Sequence, residues 1–545
     1  MDLAIQNVWV PDFRANRIVH CHVGIEHGVI SAVSESPLEA DTVVEGEEGL
    51  LTPGLMDAHV HIESALLTPM RFGEVVARHG TLYVVADCHE IANVAGIEGV
   101  RWFMDDARNA PMHVYFAVPS SVPASPFATS GSALGVGEVG QLLDDPRVVA
   151  LGELMNVPGV LRRDPAIMTM VALARERGKR INGHAPGLPG GNLREYFAAG
   201  IEDDHETGAY EELKERLELG LHVFLREGSA EQTEDAAYRV IDEEPDRVLF
   251  CTDDKALNDI RTSGHINYQL RKAARLGVDT MHLLRAACFN GAAYYHIAGA
   301  GEIRPGYQAD LVLFDNAEDF TVTNVVTRGR LLSDVFGTES SVPPFLADSI
   351  RMALPTEIPP IPGAVRGMAI KVTDGSLITA KLRVNANLPE FSPENDLLKL
   401  VVLERYGHEN RAACRIHGFG LRRGALASSL AHDCHNIISV GLDDGAIRRA
   451  VEAVIRHHGG LSVTDEEEAF TVPLPVGGIV SGDPPEKLAA GLEELTRRSR
   501  KLGTPLHNPH ATLSFMALEV IPHLKLTDRG LFDVDAFRYA ASNPA

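Results

Sequence analysis

Eight short apolar runs in this chain each end in residues suited to metal or proton chemistry, and that constrains the fold more than any other feature. Residues 50–57 lead into His59-Val60-His61, residues 81–86 into Asp87-Cys88-His89-Glu90, and residues 113–118 into Pro119-Ser120-Ser121. Residues 148–151 stop at Gly152-Glu153, 180–182 at Gly183-His184, and 201–203 at Asp204-His205-Glu206. Residues 221–225 stop at Arg226-Glu227, and 247–251 at Thr252-Asp253-Asp254. A (β/α)8 barrel gathers its chemistry at the C-terminal ends of parallel strands, so eight such junctions predict a TIM-like barrel over residues 51–300. Helical stretches at 66–79, 165–177, 193–199 and 210–219 alternate with the runs, several closed by a glycine (Gly80, Gly178, Gly200) suited to a helix C-cap.

The flanks follow a different pattern. Residues 1–50 alternate apolar and polar in glycine-punctuated runs that predict β-hairpins, and residues 301–345 do the same. Neither segment alone can bury enough surface, so the two are expected to pack as one small β-sandwich into which the barrel is inserted. Prolines at 343, 344, 355, 359, 360 and 362 mark a linker over 346–365. Residues 366–545 then predict a separate C-terminal α/β domain, with strands at 397–403 and 437–440, a Gly- and Ser-rich turn at 418–429, and a helix at 446–457. The expected fold class is α/β throughout.

Composition sets the remaining bounds. The formal charge of −25 argues against nucleic-acid or anionic-membrane partners, which need clustered cations. Arg497-Arg498-Ser499-Arg500-Lys501 is expected to be one helix face rather than a phosphate-binding patch. Six scattered cysteines without a CxxC pair fit a reducing compartment. The N-terminus shows no basic region followed by an apolar core, and no run approaches the roughly 18 apolar residues of a membrane span. A cytoplasmic protein is therefore expected.

His59-Val60-His61 is the sharpest local signal. Residues i and i+2 of a strand point the same way, so both imidazoles can reach one cation. His184, His205 and Asp253 stand at three later strand ends, and together these five predict a metal centre at the barrel mouth.

The order HxH, fourth-strand ligand, His, His, Asp resembles the amidohydrolase superfamily. Longer stretches resemble its microbial adenine deaminases: 53–64, 89–94, 152–160, 183–188, 226–230, 251–255, and in the C-terminal region 432–437 and 524–532. The resemblance covers nearly the whole chain. It implies hydrolytic deamination of adenine to hypoxanthine and ammonia, by hydroxide attack at C6. It also implies two divalent metals, manganese first, with iron or zinc as alternatives. Glu153 stands where many relatives carry a bridging lysine; it is expected to hold metal with its two oxygens, the alternative being substrate contact or proton transfer. Asp253 is expected to ligate metal and to move the water's proton.

The resemblance also places Asp87, His89 and Glu90 near the pocket, His89 for an extra metal and Asp87 or Glu90 for ring nitrogens. For either acid a helix N-cap is the competing assignment. Cys88 stands where relatives often have proline. Arg226, Glu227 and Asp254 are candidate substrate or metal contacts, with an internal ion pair equally open for Arg226 and Glu227. His432 and His435 suggest a domain or subunit contact, or else another metal site. A purine is the expected partner, along with further copies of the chain in a dimer or tetramer. The competing functions are ring opening of a cyclic amide on the same metals, disfavoured by the missing lysine, and a barrel that has lost its chemistry.

Overall fold

The computed structural model describes residues 1–335, 337, 340–465 and 468–540. Positions 336, 338 and 339 of the expected β-sandwich segment, and 466, 467 and 541–545 of the expected C-terminal domain, lie outside the described residues. The chain forms two compact units: Met1–Cys88 with Phe103–Ser120 and Gly135–Ser340, and His89–Trp102 with Ser121–Leu134 and Ser341–Ala545.

The first unit opens with strands β1 (Leu3–Asp12), β2 (Arg17–Glu26), β3 (Val29–Ser34) and β4 (Thr42–Pro53). Five parallel strands follow: β5 (Leu55–Val60), β6 (Thr81–Asp87), β7 (His113–Val118), β8 (Val148–Leu151) and β9 (Arg180–Ile181). Three more, β10 (Asp203–Asp204), β11 (His222–Arg226) and β12 (Val248–Cys251), make a second parallel sheet. The sheets approach at both ends. Glu202 N–H donates to Ile181 O at 3.0 Å, and a parallel bridge joins Val60 to Asp253. Every residue of β6, β8 and β12 is buried, as expected for TIM-barrel-like strands covered on both faces.

Strands β13 (Leu311–Phe314), β14 (Val322–Thr327) and β15 (Arg330–Leu331) return to the beginning of the chain. They complete one seven-stranded sheet in the order β15-β14-β13-β4-β1-β2-β3. Leu3, Ile5, Val23, Ile25, Leu311 and Val326 share its core, so the flanking segments do bury each other's apolar faces.

Residues 50–57 are not one strand. Leu50–Pro53 pairs antiparallel with β13, and the barrel strand starts afresh at Leu55. The reason is local: Pro53 has no N–H to extend the ladder, and Gly54 passes so close to Leu82 that an added Cβ would meet the Leu82 Cβ at 2.7 Å. The helices sit where expected, over Pro69–Val76, Pro165–Glu176, Gly190–Phe197 and Tyr210–Glu218. Gly80 (φ 84°), Gly178 (φ 65°) and Gly200 (φ 113°) end three of these stretches in left-handed conformations.

The second unit is built on an eight-stranded sheet. In chain order its strands are β16 (Met368–Lys371), β17 (Ala380–Arg383), β18 (Leu397–Leu403), β19 (Arg411–His417), β20 (Ala425–Ala431), β21 (Asn436–Gly441), β22 (Gly460–Thr464) and β23 (Ala469–Pro473). Residues 425–429, expected as part of a turn, are interior strand. Their alanines and serines are small enough to lie beneath helix Asp444–Arg456, and the Ser429 hydroxyl is satisfied by Gly478 O at 2.6 Å. The proline-rich segment is packed, with Leu346 and Ile361 buried. Residues 121–134 join this unit because Asn436 and Asp528 satisfy the polar groups of Thr129. Arg497 and Arg498 lie on helix Pro485–Lys501, where both pair with Glu494 and Arg498 also pairs with Glu468. No helix among the described residues is long and apolar enough to cross a membrane.

Candidate metal centre

The end of β5 sends His59 and His61 to the same side, their Nε2 atoms 3.3 Å apart. His61 Nδ1 lies 2.8 Å from Asp87 O, which places a proton on Nδ1 and leaves a bare lone pair on Nε2. Asp253, just beyond β12, brings Oδ1 to 3.0 Å from His61 Nε2 and 3.4 Å from His59 Nε2. Glu153, beyond β8, faces the other side of the cluster. Its Oε2 is 2.6 Å from His184 Nδ1 and 3.3 Å from His205 Nε2, and its Oε1 is 3.7 Å from His61 Nε2. The His59 and His205 rings stack at 4.0 Å between centroids.

These residues fit a cation. With its proton on Nδ1, neutral His61 turns its Nε2 lone pair towards the Asp253 carboxylate oxygen at 3.0 Å, and a cation between these two acceptors satisfies both. His205 Nε2 is fully buried and makes no hydrogen bond, although it faces two carboxylates. His59 with His61 and Asp253, and His59 with Glu153 and His205, each bring three ligand atoms within 4.8 Å of one another.

The electrostatics of His59, Asp253 and Glu153 agree with a cation there. At His184 and His205 burial is outweighed by the neighbouring carboxylates, which raise both imidazoles, so a bound cation would displace their protons. Burial, with help from the His205 charge, pushes His59 down to about 4, so it is a neutral ligand at neutral pH. Burial opposes ionisation of Asp253, but the neighbouring His59 and His61 and the charge of Arg226 outweigh it and hold the carboxyl well below its usual range. Burial likewise opposes Glu153 and is outweighed by the His184 charge, by the hydrogen bond from His184 and by the neighbouring His205 ring.

The remaining expected residues divide. Asp87 does not cap a helix. Cys88 occupies the cap position, while Asp87 Oδ2 accepts from Glu153 N–H at 3.1 Å. Only glycine fits at 152, where a Cβ would lie 2.1 Å from that oxygen. Arg226 reaches the centre through Nη1, 2.5 Å from Glu206 Oε1 and 2.7 Å from Asp253 Oδ2. Glu227 does not. Strand alternation turns it to the opposite face, where Tyr238 Oη (2.8 Å) and Lys272 Nζ (2.5 Å) hold it. Asp254 accepts the Ser64 hydroxyl instead of joining the cluster.

His89 and Glu90 belong to the second unit. Glu90 is clasped there by His432 Nδ1 at 2.6 Å and by His435 Nε2. Burial works against both charges in the His432–Glu90 pair. Mutual attraction nonetheless raises His432 to about 10 and keeps Glu90 well below its usual range. His432 and His435 thus make a contact within their own unit.

Glu206 escaped the sequence reasoning. Its Oε1 lies 3.4 Å from His205 Nε2 and 3.7 Å from His184 Nδ1. Burial is outweighed by the charges of His184 and Arg226 and by the neighbouring His205 ring, which pull it down to about 2. The available signal was its place directly after a strand-end histidine.

Comparison with known proteins agrees with this geometry. Residues 50–332 match the model of the amidohydrolase family, and residues 375–538 match that of the adenine deaminase C-terminal domain. The chain is 37% identical to adenine deaminase of Desulfatibacillum aliphaticivorans, over 99% of this chain and 97% of that protein. It is 40% identical to that of Salinibacter ruber, over 97% of each, and 39% identical to that of Methanosarcina mazei, over 95% of each. A match of this length through both regions, with the His, Asp and Glu cluster assembled at the strand ends, shows that the chain belongs to the adenine deaminase family of metal-dependent amidohydrolases.

Proposed function

We propose that this protein is a hydrolase that replaces the C6 amino group of adenine by oxygen, giving hypoxanthine and ammonia. The near full-length similarity to curated adenine deaminases, through the C-terminal region as well as the barrel strands, carries the assignment. Two divalent ions fit the donor set, manganese first, with iron or zinc as alternatives. One would be held by His59, His61 and Asp253, the other by His184 and His205, with Glu153 as a further ligand. Metal bound there supplies Lewis-acid activation of water at neutral pH.

The chain's own residues do the rest. Asp253 Oδ1 stands beside His61 Nε2 and is unprotonated, so it can take a proton from the attacking water and return it to the departing nitrogen. Arg226, bonded to Oδ2, keeps the carboxylate from turning away. Asp87 fixes the backbone of Glu153 and acts through it rather than on substrate. In this reading the parallel strands close into a full eight-stranded barrel inserted in a β-sandwich of residues 1–50 and 301–345. A C-terminal domain over 366–545 follows, and the protein works in the cytoplasm as a dimer or tetramer.

The test uses manganese-loaded protein freed of excess metal. Adenine absorbance and released ammonia are followed together, with adenosine, cytosine, guanine and hydantoin as controls. Stoichiometric hypoxanthine and ammonia, abolished by a chelator, are expected. Metal-dependent turnover of hydantoin without adenine turnover would replace this assignment by cyclic-amide hydrolysis.

A further inference from the structure

Asp253 carries the most demanding task in the centre and sits in an unfavourable backbone conformation, with φ at 56°. Aspartate tolerates the left-handed region better than most residues, but such a conformation persists only where its surroundings over-determine it. The backbone on either side is pinned to β5: Asp253 N–H donates to His59 O at 3.0 Å, and His61 N–H donates to Asp253 O at 3.1 Å.

The residue before it is pinned by a side chain. Asp57 Oδ2 accepts the Thr252 hydroxyl at 2.5 Å, and Asp57 Oδ1 accepts Thr252 N–H at 3.1 Å. That same Oδ1 accepts His59 N–H at 3.2 Å. One carboxylate therefore fixes the backbone of a histidine on the first parallel strand and of the residue leading into Asp253 on the last. Asp57 and Thr252 are both fully buried, so water cannot substitute for either partner. His265 backs the pair, its Nε2 3.4 Å from both the Thr252 hydroxyl and Asp57 Oδ2, while its Nδ1 is 2.9 Å from Thr81 Oγ1.

We propose that Asp57 and Thr252 are positioning residues, a latch between first and last barrel strands that sets Asp253 against His59 and His61 for the cation they hold. The inference rests on the metal-centre assignment above. Neither residue touches metal or substrate. Both act through the backbone of residues that do.

Thr252→Val keeps shape and removes the hydroxyl, whereas Thr252→Ser keeps the hydroxyl and removes the methyl. Manganese affinity and stoichiometry are measured on the metal-free chain, and kcat and KM for adenine on the loaded one. Substitutions of residues that orient metal ligands typically weaken metal binding or activity about 10–100-fold, and Thr252→Val is expected within that range in both manganese affinity and kcat. KM should stay within about threefold, because the latch does not meet substrate. Thr252→Ser should restore most of both losses. Circular dichroism and a thermal midpoint on the metal-free protein check the fold; if Thr252→Val does not fold, Thr252→Ala carries the same expectation.

The latch is overturned if Thr252→Val matches the wild type in affinity and kcat, or if Thr252→Ser and Thr252→Val lose equally, which would make the methyl packing decisive. A wild-type chain that binds no metal or leaves adenine unchanged would instead sink the assignment of the centre itself.

Discussion

Arg226 grips one oxygen of Asp253 and leaves the other to the histidines: Nη1 to Oδ2 is 2.7 Å, while Oδ1 faces His61 Nε2 at 3.0 Å. The same Nη1 holds Glu206 at 2.5 Å, so one guanidinium spans the His59–His61 side and the His184–His205 side of the cluster. Replacing Arg226 by methionine leaves the buried Asp253 and the half-buried Glu206 without their counter-charge. Breaking a buried pair in this way costs about 3–5 kcal/mol. We expect a loss of about that size in urea denaturation of the metal-free protein, and a kcat lower by about 10–100-fold. Unchanged stability would mean that water or another cation replaces the guanidinium.

Glu206→Gln keeps an acceptor for Arg226 while removing a negative charge beside His184 and His205. If Glu206 helps hold the second ion, the variant should retain the ion on the His59–His61 side and bind the other about tenfold more weakly. Elemental analysis after graded dialysis against chelator reads the difference. Equal loss of both ions would show that Glu206 serves the whole centre.

His510 gives a pH dependence far from the metal site. Burial pushes it down to about 4, with its Nε2 bonded to Ser462 O at 3.0 Å, so the fold holds it neutral. The unfolded chain takes up a proton below about 6.5 and the folded chain resists until about 4. The contribution is therefore complete above about pH 6.5 and is lost as pH falls towards 4. One such group adds at most about 1.4 kcal/mol per pH unit in that window. Urea midpoints of the wild type and His510→Asn at pH 7, 6 and 5 should converge as pH falls, and parallel curves would contradict the assignment.

The clasp on Glu90 stabilises the second unit. His432→Ala removes the partner at 2.6 Å and leaves the buried carboxylate with His435. A loss of about 3 kcal/mol is expected. Hydrogen exchange should report it first in residues 89–102 and 430–437. Protection that is unchanged there would place the stabilisation elsewhere.

Much of the fold could be read from the chain because strands such as β8 are apolar and buried throughout, and the bounds of β7 and β8 match the expected runs. Departures arose where a local rule gave way to packing. Ala425–Ala431 is composed like a turn, but its small side chains are what an interior strand beneath a helix needs. Leu50–Met56 looks continuous in composition, but Pro53 and Gly54 divide it between two sheets.

At the centre, His59 and His61 were legible because strand alternation alone places two side chains together. Alternation also separates Arg226, which enters the cluster, from Glu227, which leaves it. The sequence by itself marked the parallel strands and the candidate donors, because hydrophobic periodicity and residue chemistry are local properties, and its motif stretches carried the family resemblance. Only the tertiary structure decided that Asp87 supports Glu153, that Glu206 and Asp253 share one guanidinium, and that Asp57 joins the first strand to the last. These relationships link residues dozens to nearly two hundred positions apart, and hydrogen-bond geometry across such distances exists only after the sheets have formed.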